Sequence, residues 1–266
     1  MQNETIDLGR LFDLKGQVAI VTGSARGIGR AIAEGLAQAG VSVVLADILE
    51  DELKQTAKTI KGRNLTAIAI PTDLCKPEDL ANLVEQTIKR FGRIDILVNC
   101  AGVSIGAACQ DYPEDAWNIT FDVNVFAAFR LSKLAAKYMI EQQSGRIINL
   151  TSIGAVLGFP NNPAYQASKG ALLQLTRAMA CDWAKYNIRV NNIIPGYFKA
   201  PMTEKSWSNP ETKKQRAAMC LLNRWGNPGE LVGPVIFLAS SASSYITGND
   251  LFVDGGFVKT GMVAGS

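Results

Sequence analysis

The chain has 266 residues, 47% of them hydrophobic and 19% charged, enough to bury a large core within one α/β domain. It contains no histidine, which excludes Ser-His-Asp and Cys-His catalytic sets and the common His-rich zinc sites. Net charge is only +3, with no lysine or arginine run, so neither nucleic acid nor a membrane surface is an expected partner.

The N-terminal stretch MQNETIDLGRLFDLKG is polar and acidic and lacks the apolar segment and cleavage site of a secretory signal. Strands are expected at 17–23, 41–47, 65–71, 93–99, 145–152, 188–195 and 250–256. Helices are expected between them at 27–39, 50–61, 77–91, 114–140, 163–185 and 228–240. Continuous apolar strands alternating with helices predict a parallel sheet covered on both faces. The fold class is therefore α/β, a Rossmann-type doubly wound sheet of about seven strands in a single domain over 1–266. The stretch 196–227 reads as neither strand nor clear helix and is expected to be a lid over a site. No run of 18 apolar residues occurs, so no membrane span is expected. The five cysteines are odd in number and lack any CxxC spacing, which fits free thiols in a reducing cytoplasm and no metal site.

Chemistry-bearing residues fall at the strand ends. VTGSARGIGR leaves the first strand and opens a helix, with Gly23, Gly27 and Gly29 spaced GxxxGxG. Such a turn lets backbone N–H groups and a helix N-terminus approach a pyrophosphate. Asp47 closes the second strand 18 residues past Gly29, where a carboxylate can accept from adenosine ribose hydroxyls. Asp73 ends the third strand, where it can receive an adenine amine, and NCAG at 99–102 lets backbone pass close to a cofactor. Tyr165 and Lys169 in YQASK stand four apart, on one face of a helix, and no other tyrosine of the chain has a lysine at that spacing.

Taken together, TG(x)3GIG at 22–29, N-x-A-G at 99–102, Asn124, Ser152, YxxxK at 165–169 and PG at 195–196 resemble the short-chain dehydrogenase/reductases over nearly the whole length. The resemblance implies a nicotinamide cofactor, reversible oxidation of a secondary alcohol to a ketone, and a homotetramer or homodimer. It implies catalytic roles for Asn124, Ser152, Tyr165 and Lys169. It places Gly23, Ser24, Arg26, Gly27, Ile28, Gly29, Asp47, Ile48, Asp73, Leu74, Asn99, Ala101, Gly102, Pro195, Gly196 and Phe198 along the cofactor, with Tyr165 and Lys169. Tyr165 would be the general acid/base, Ser152 would hold the substrate oxygen, and Asn124 would anchor a water leading from Lys169 to solvent. For work near neutrality a phenol must drop by about two to three units, about 3–4 kcal/mol, for which the Lys169 ammonium and an oxidised nicotinamide supply charge. Two positions depart from the family pattern: Cys100 stands where a second asparagine is frequent, and Ala200 where a threonine helps hold the nicotinamide.

Within that family, PGYFKAPMTE and RWGNPGEL look most like the gluconate 5-dehydrogenases and polyol dehydrogenases, pointing to a sugar acid, ketose or polyol substrate. Arg224, Lys199 and Lys205 could meet a carboxylate or be plain surface charge. The rival is a 3-oxoacyl-[acyl-carrier-protein] reductase, whose carrier-docking arginines are matched here by Gln143 and Tyr186. A non-catalytic dinucleotide sensor, the reading of a different class, has no use for the Asn-Ser-Tyr-Lys set. For the cofactor, Asp47 repels a 2′-phosphate while exposed Arg26 attracts it weakly, and ILEDE follows, so NAD(H) is expected over NADP(H).

Overall fold

The computed structural model describes residues 6–259; the outermost ends of the expected 1–266 domain, and the start of the N-terminal stretch, lie outside them. A short helix α1 (Leu8–Leu11), capped by the Asp7 carboxylate, leads to β1 (Val18–Thr22). There follow α2 (Gly27–Gln38), β2 (Ser42–Asp47), α3 (Glu50–Lys61), β3 (Ala67–Pro71), α4 (Pro77–Phe91) and β4 (Ile96–Asn99). The second half runs α5 (Glu114–Phe121), α6 (Ala127–Gln142), β5 (Gly145–Leu150), α7 (Pro163–Trp183), β6 (Ile188–Pro195), α8 (Glu204–Trp207), α9 (Pro210–Ala218), α10 (Val232–Ala239) and β7 (Asp250–Val253).

All seven strands pair in parallel in the order β3-β2-β1-β4-β5-β6-β7. Chain order reverses between β1 and β4, which opens a crevice at their carboxyl ends. Successive strand residues feed opposite layers. Ala19 and Val21 pack with Ile32, Leu36, Leu53 and Leu238, while Val18 and Ile20 pack with Leu83, Leu131 and Met139. Because both faces are buried, the strands read as unbroken apolar runs.

Three expectations are corrected. The helix expected over 114–140 is α5 and α6 joined by a π-helical turn, Asp122–Phe126, that inserts a residue into the ladder. The stretch 196–227 contains helices α8 and α9; Asn209 caps α9 by accepting from the Thr212 N–H, with Pro210 at its first position. The fourth strand begins at Ile96 rather than 93, because Arg93 and Asp95 form an ion pair and Asp95 accepts from the Val18 N–H.

Candidate active site

Packing dictates the glycine turn. A Cβ on Gly29 would lie 2.1 Å from the Gly23 carbonyl oxygen, so only glycine lets α2 start against the end of β1. Arg26, the residue before α2, makes no side-chain cap, so the first N–H groups of this 12-residue helix have no side-chain acceptor from it. Two hydroxyls brace the turn. Thr22 Oγ1 accepts from Cys100 N and Ala101 N at 3.1 Å each, tying β1 to the end of β4. Ser24 Oγ accepts from Ala46 N at 3.0 Å, tying it to β2. These residues fit a dinucleotide: an uncapped helix N-terminus over a glycine turn accepts a pyrophosphate.

Both acids are engaged by backbone donors. Asp47 does stand beside the turn, but its Oδ2 accepts from Ala25 N at 3.0 Å and its Oδ1 from Leu49 N at 3.1 Å. It is a carboxylate already engaged by backbone, with lone pairs left over. Asp73 Oδ1 accepts from Cys75 N, and Lys76 Nζ lies 3.7 Å from Oδ2. Ile48 is 66% exposed at the rim, where an apolar side chain has no protein partner to cover it. Arg26 reaches no closer than 3.8 Å to Glu52 of α3 and stays half exposed.

At the other side of the crevice, Asn124 and Lys169 are 1% and 3% exposed. The π-helical turn presents Asn124 inward. Its Oδ1 accepts from Val103 N at 2.9 Å, and its Nδ2 donates to Val103 O and to Ser168 Oγ. Lys169 Nζ donates to Leu150 O at 2.7 Å and lies 5.7 Å from the centre of the Tyr165 ring. A Cβ on Gly102 would meet Asn124 Oδ1 at 3.2 Å and Lys169 Nζ at 3.4 Å, so the absent side chain keeps this corner open. Ser152 follows β5 and accepts from Gly154 N at 3.1 Å, and its hydroxyl acts on the Tyr165 phenol.

Burial sets the electrostatics. It pushes the Lys169 ammonium down to about 8. It pushes the Tyr165 phenol up, against a smaller downward pull from the Ser152 hydroxyl. The Lys169 ammonium, to which the resemblance gives the task of lowering the phenol, is turned here to the Leu150 carbonyl. The Cys100 thiol, beside Lys169, is pushed up to about 12 by burial and stays neutral.

Sequence reasoning missed what stands behind the site. Asn99 turns its side chain into the sheet, donating to Asn149 Oδ1 at 2.8 Å and Ser132 Oγ at 3.1 Å. Asn149 donates to Thr176, Thr176 to Asn192, and Asn192 to Asp250, each at 2.7 Å. Asn99, Asn149, Asn192 and Asp250 are register partners on four adjacent strands, so one rung of the sheet is a continuous polar chain. Its available signal was asparagine inside three apolar strands, where it is disfavoured. Pro195 and Gly196 end β6, and Phe198 beyond them is buried, bridging to Gly226. Ala200 lacks a hydroxyl, but Thr203 accepts from its N–H and donates to Phe198 O, holding the turn. Arg224, a candidate for substrate, is instead tied by both terminal nitrogens to Glu230. Among the described residues no group of three or more acidic or cysteine side chains could hold a metal ion, and all five cysteines are free.

Comparison with known proteins agrees with this fold. A family model described as enoyl-(acyl carrier protein) reductase matches residues 23–258. A 5-keto-D-gluconate 5-reductase of Escherichia coli is 37% identical over 93% of this chain and 98% of its own. An NAD-dependent glycerol dehydrogenase of Listeria innocua is 35% identical over 92% of this chain and 95% of its own. A 3-oxoacyl-[acyl-carrier-protein] reductase of Thermotoga maritima is also 35% identical, over 92% and 99%. Among solved structures, a gluconate 5-dehydrogenase from Burkholderia cenocepacia in complex with NADP and tartrate superposes with a TM-score of 0.91 at 35% identity, covering 94% of this chain and 98% of that one. A Pseudomonas aeruginosa RhlG/NADP complex gives 0.89 at 34%, covering 93% and 98%. The solved relatives, complexed with NADP, support a nicotinamide cofactor and favour NADP, not the preference for NAD(H) expected from Asp47.

Proposed function

The chain belongs to the short-chain dehydrogenase/reductase family, and on that premise we propose that it interconverts a secondary alcohol and a ketone on a sugar acid or polyol. The observation that carries the proposal is Ser152, Tyr165, Lys169 and Asn124 gathered around one buried corner at the ends of β4 and β5, beside the glycine turn. A nicotinamide bound in the crevice would supply hydride transfer. The protein's part is the proton and the orientation. Ser152 would donate to the substrate oxygen as charge develops there. The Tyr165 hydroxyl would pass the proton to that oxygen, or take it away in oxidation. Lys169 would turn from the Leu150 carbonyl to the ribose hydroxyls, its ammonium favouring the phenolate. Asn124 fixes the strand-end backbone at Val103 beside Lys169 and Gly102.

The substrate class rests on the E. coli and Burkholderia relatives, which are named for gluconates, and on a site without carrier-docking arginines at Gln143 and Tyr186. A carrier-protein reductase therefore stands as the second reading, favoured by the Thermotoga relative. For the cofactor we assign NADP(H) as accepted alongside NAD(H). The repulsion expected from Asp47 was that of a bare charge, whereas two backbone N–H donors offset part of it. Arg26, loosely held at 3.8 Å from Glu52, can turn to a 2′-phosphate. The segment 196–227 acts as a lid. Exposed Trp117, Ile119, Phe126 and Phe129 on α5, the π turn and α6 form an apolar face suited to a second copy, as expected of a dimer or tetramer. Free cysteines fit a reducing compartment, and among the described residues no helix is long and apolar enough to cross a membrane.

Oxidation of NADH and NADPH by the purified protein over 5-keto-D-gluconate, a neutral ketose and an acetoacetyl thioester tests this reading. Turnover of the sugar ketones and not the thioester is expected. Thioester turnover alone would move the assignment to the second reading.

A further inference from the structure

The positive charge of this chain is concentrated in one place. Residues 196–227 hold Lys199, Lys205, Lys213, Lys214, Arg216 and Arg224 against Glu204 and Glu211, a net +4 in a chain of net +3. The rest of the protein is thus slightly acidic. Within this segment lies a cavity of about 520 Å³, bounded by α8, α9 and the 223–227 loop, and lined in part by Lys199, Trp207, Lys213, Lys214 and Trp225. That volume suits a small ligand.

The cations divide sharply. Arg224 is neutralised by Glu230, and Arg216 lies over the rings of Tyr197 and Trp225 at 4.7 and 5.9 Å. Lys199, Lys213 and Lys214 have no carboxylate within ion-pair distance among the described residues, since none of the eight ion pairs there includes them. The two indoles divide as well. Trp225 donates to the Lys213 carbonyl at 2.9 Å, whereas the Trp207 N–H is buried with no acceptor among the described residues. A buried donor left unpaired is costly and calls for an acceptor.

We propose that this cavity binds a small oxyanion, a carboxylate or phosphate group, that accepts hydrogen bonds from the Trp207 N–H and the Lys199, Lys213 and Lys214 ammoniums. None of Ser152, Tyr165 and Lys169 lines it, so the site is separate from the proposed catalytic corner. Its ligands come from three pieces of chain: the turn after β6, α8, and α9. An anion held there cross-links them and tightens the lid. The idea does not depend on the dehydrogenase reading, because it concerns binding alone.

The test is a titration of the purified protein at constant ionic strength with sodium gluconate, inorganic phosphate and neutral glucitol, followed by tryptophan fluorescence and by calorimetry. Gluconate or phosphate should give a saturable change and glucitol none. Phosphate binding as tightly as gluconate identifies a free-oxyanion site; gluconate binding more tightly identifies the sugar acid as the source. Removing two ammoniums in Lys213→Met/Lys214→Met should weaken the anion by about twofold to thirtyfold, the sum for two exposed pairs. Trp207→Phe should weaken it while keeping the ring. Unchanged anion affinity in both variants, equal binding of glucitol, or no saturable binding would overturn the proposal. If no ketone is turned over, the phosphate arm still decides this site.

Discussion

Lys169 offers a test in which the structure supplies both sign and size. Its ammonium is buried and donates to Leu150 O, and its pKa falls from 10.5 to about 8. At about 1.4 kcal/mol per unit, the folded protein carries about 3 kcal/mol against the charged form. Below about pH 8 both folded and unfolded chains hold this proton, and the cost is present in full. Between about 8 and 10.5 the unfolded chain keeps a proton that the folded one has released, so stability rises with pH across that window. A ligand that accepts from the ammonium works in the opposite sense. It favours the charged form, so its affinity is highest below about 8 and falls as pH rises through it. If only the protonated form binds well, NADH affinity should drop about tenfold between about pH 7 and 9. Tyr165 is shifted upward and Cys100 lies at about 12, so neither titrates in this interval. Quenching of tryptophan fluorescence by NADH, measured across that range, reads the slope directly. Lys169→Met should bind weakly and with no slope. A flat profile in the unaltered protein, or the same slope in Lys169→Met, would refute the reasoning.

Other perturbations have definite outcomes. Gly29→Ala should abolish cofactor binding, since its Cβ would sit 2.1 Å from the Gly23 oxygen; normal NADPH affinity by fluorescence would count against the turn. Asp47→Ala should raise kcat/KM for NADPH relative to NADH by about fivefold to tenfold, through relief of repulsion partly offset by lost backbone bonds. An unchanged cofactor ratio would remove Asp47 from specificity. Asn149→Ala breaks the rung between Asn99 and Thr176 and should cost about 1–3 kcal/mol in denaturant unfolding, from buried groups left unpaired; a loss under 0.5 kcal/mol would show the rung to be dispensable. Activity should survive chelators, and metal-reversible loss in EDTA would contradict the absence of a ligand cluster among the described residues.

The sheet was legible because its strands are buried on both faces and therefore spell continuous apolar runs. The glycine turn was legible because close approach leaves no choice of residue. What depends on distant partners was not. Asp47 could be placed at the end of β2 from the pattern, but the direction of its carboxylate is set by Ala25 N–H, 22 residues earlier. Spacing put Tyr165 and Lys169 on one helical face, while the depth of burial, which moves both pKa values, belongs to the packed whole. The π turn at Asp122–Phe126 leaves the apolar pattern unbroken, so one long helix was the natural expectation. The α9 signal was present, Asn209 then Pro210, but the segment is too polar to show helical periodicity.

The central claim is that the Tyr165 hydroxyl carries the proton in a nicotinamide-dependent reaction. The most direct measurement compares kcat of the unaltered protein and Tyr165→Phe for NADPH-dependent reduction of 5-keto-D-gluconate, with NADPH affinity measured on both. The account predicts a fall in kcat of about 10²–10⁴-fold with cofactor affinity changed less than threefold, since only a general acid/base hydroxyl is removed. A Phe variant that keeps a tenth or more of the kcat would contradict it.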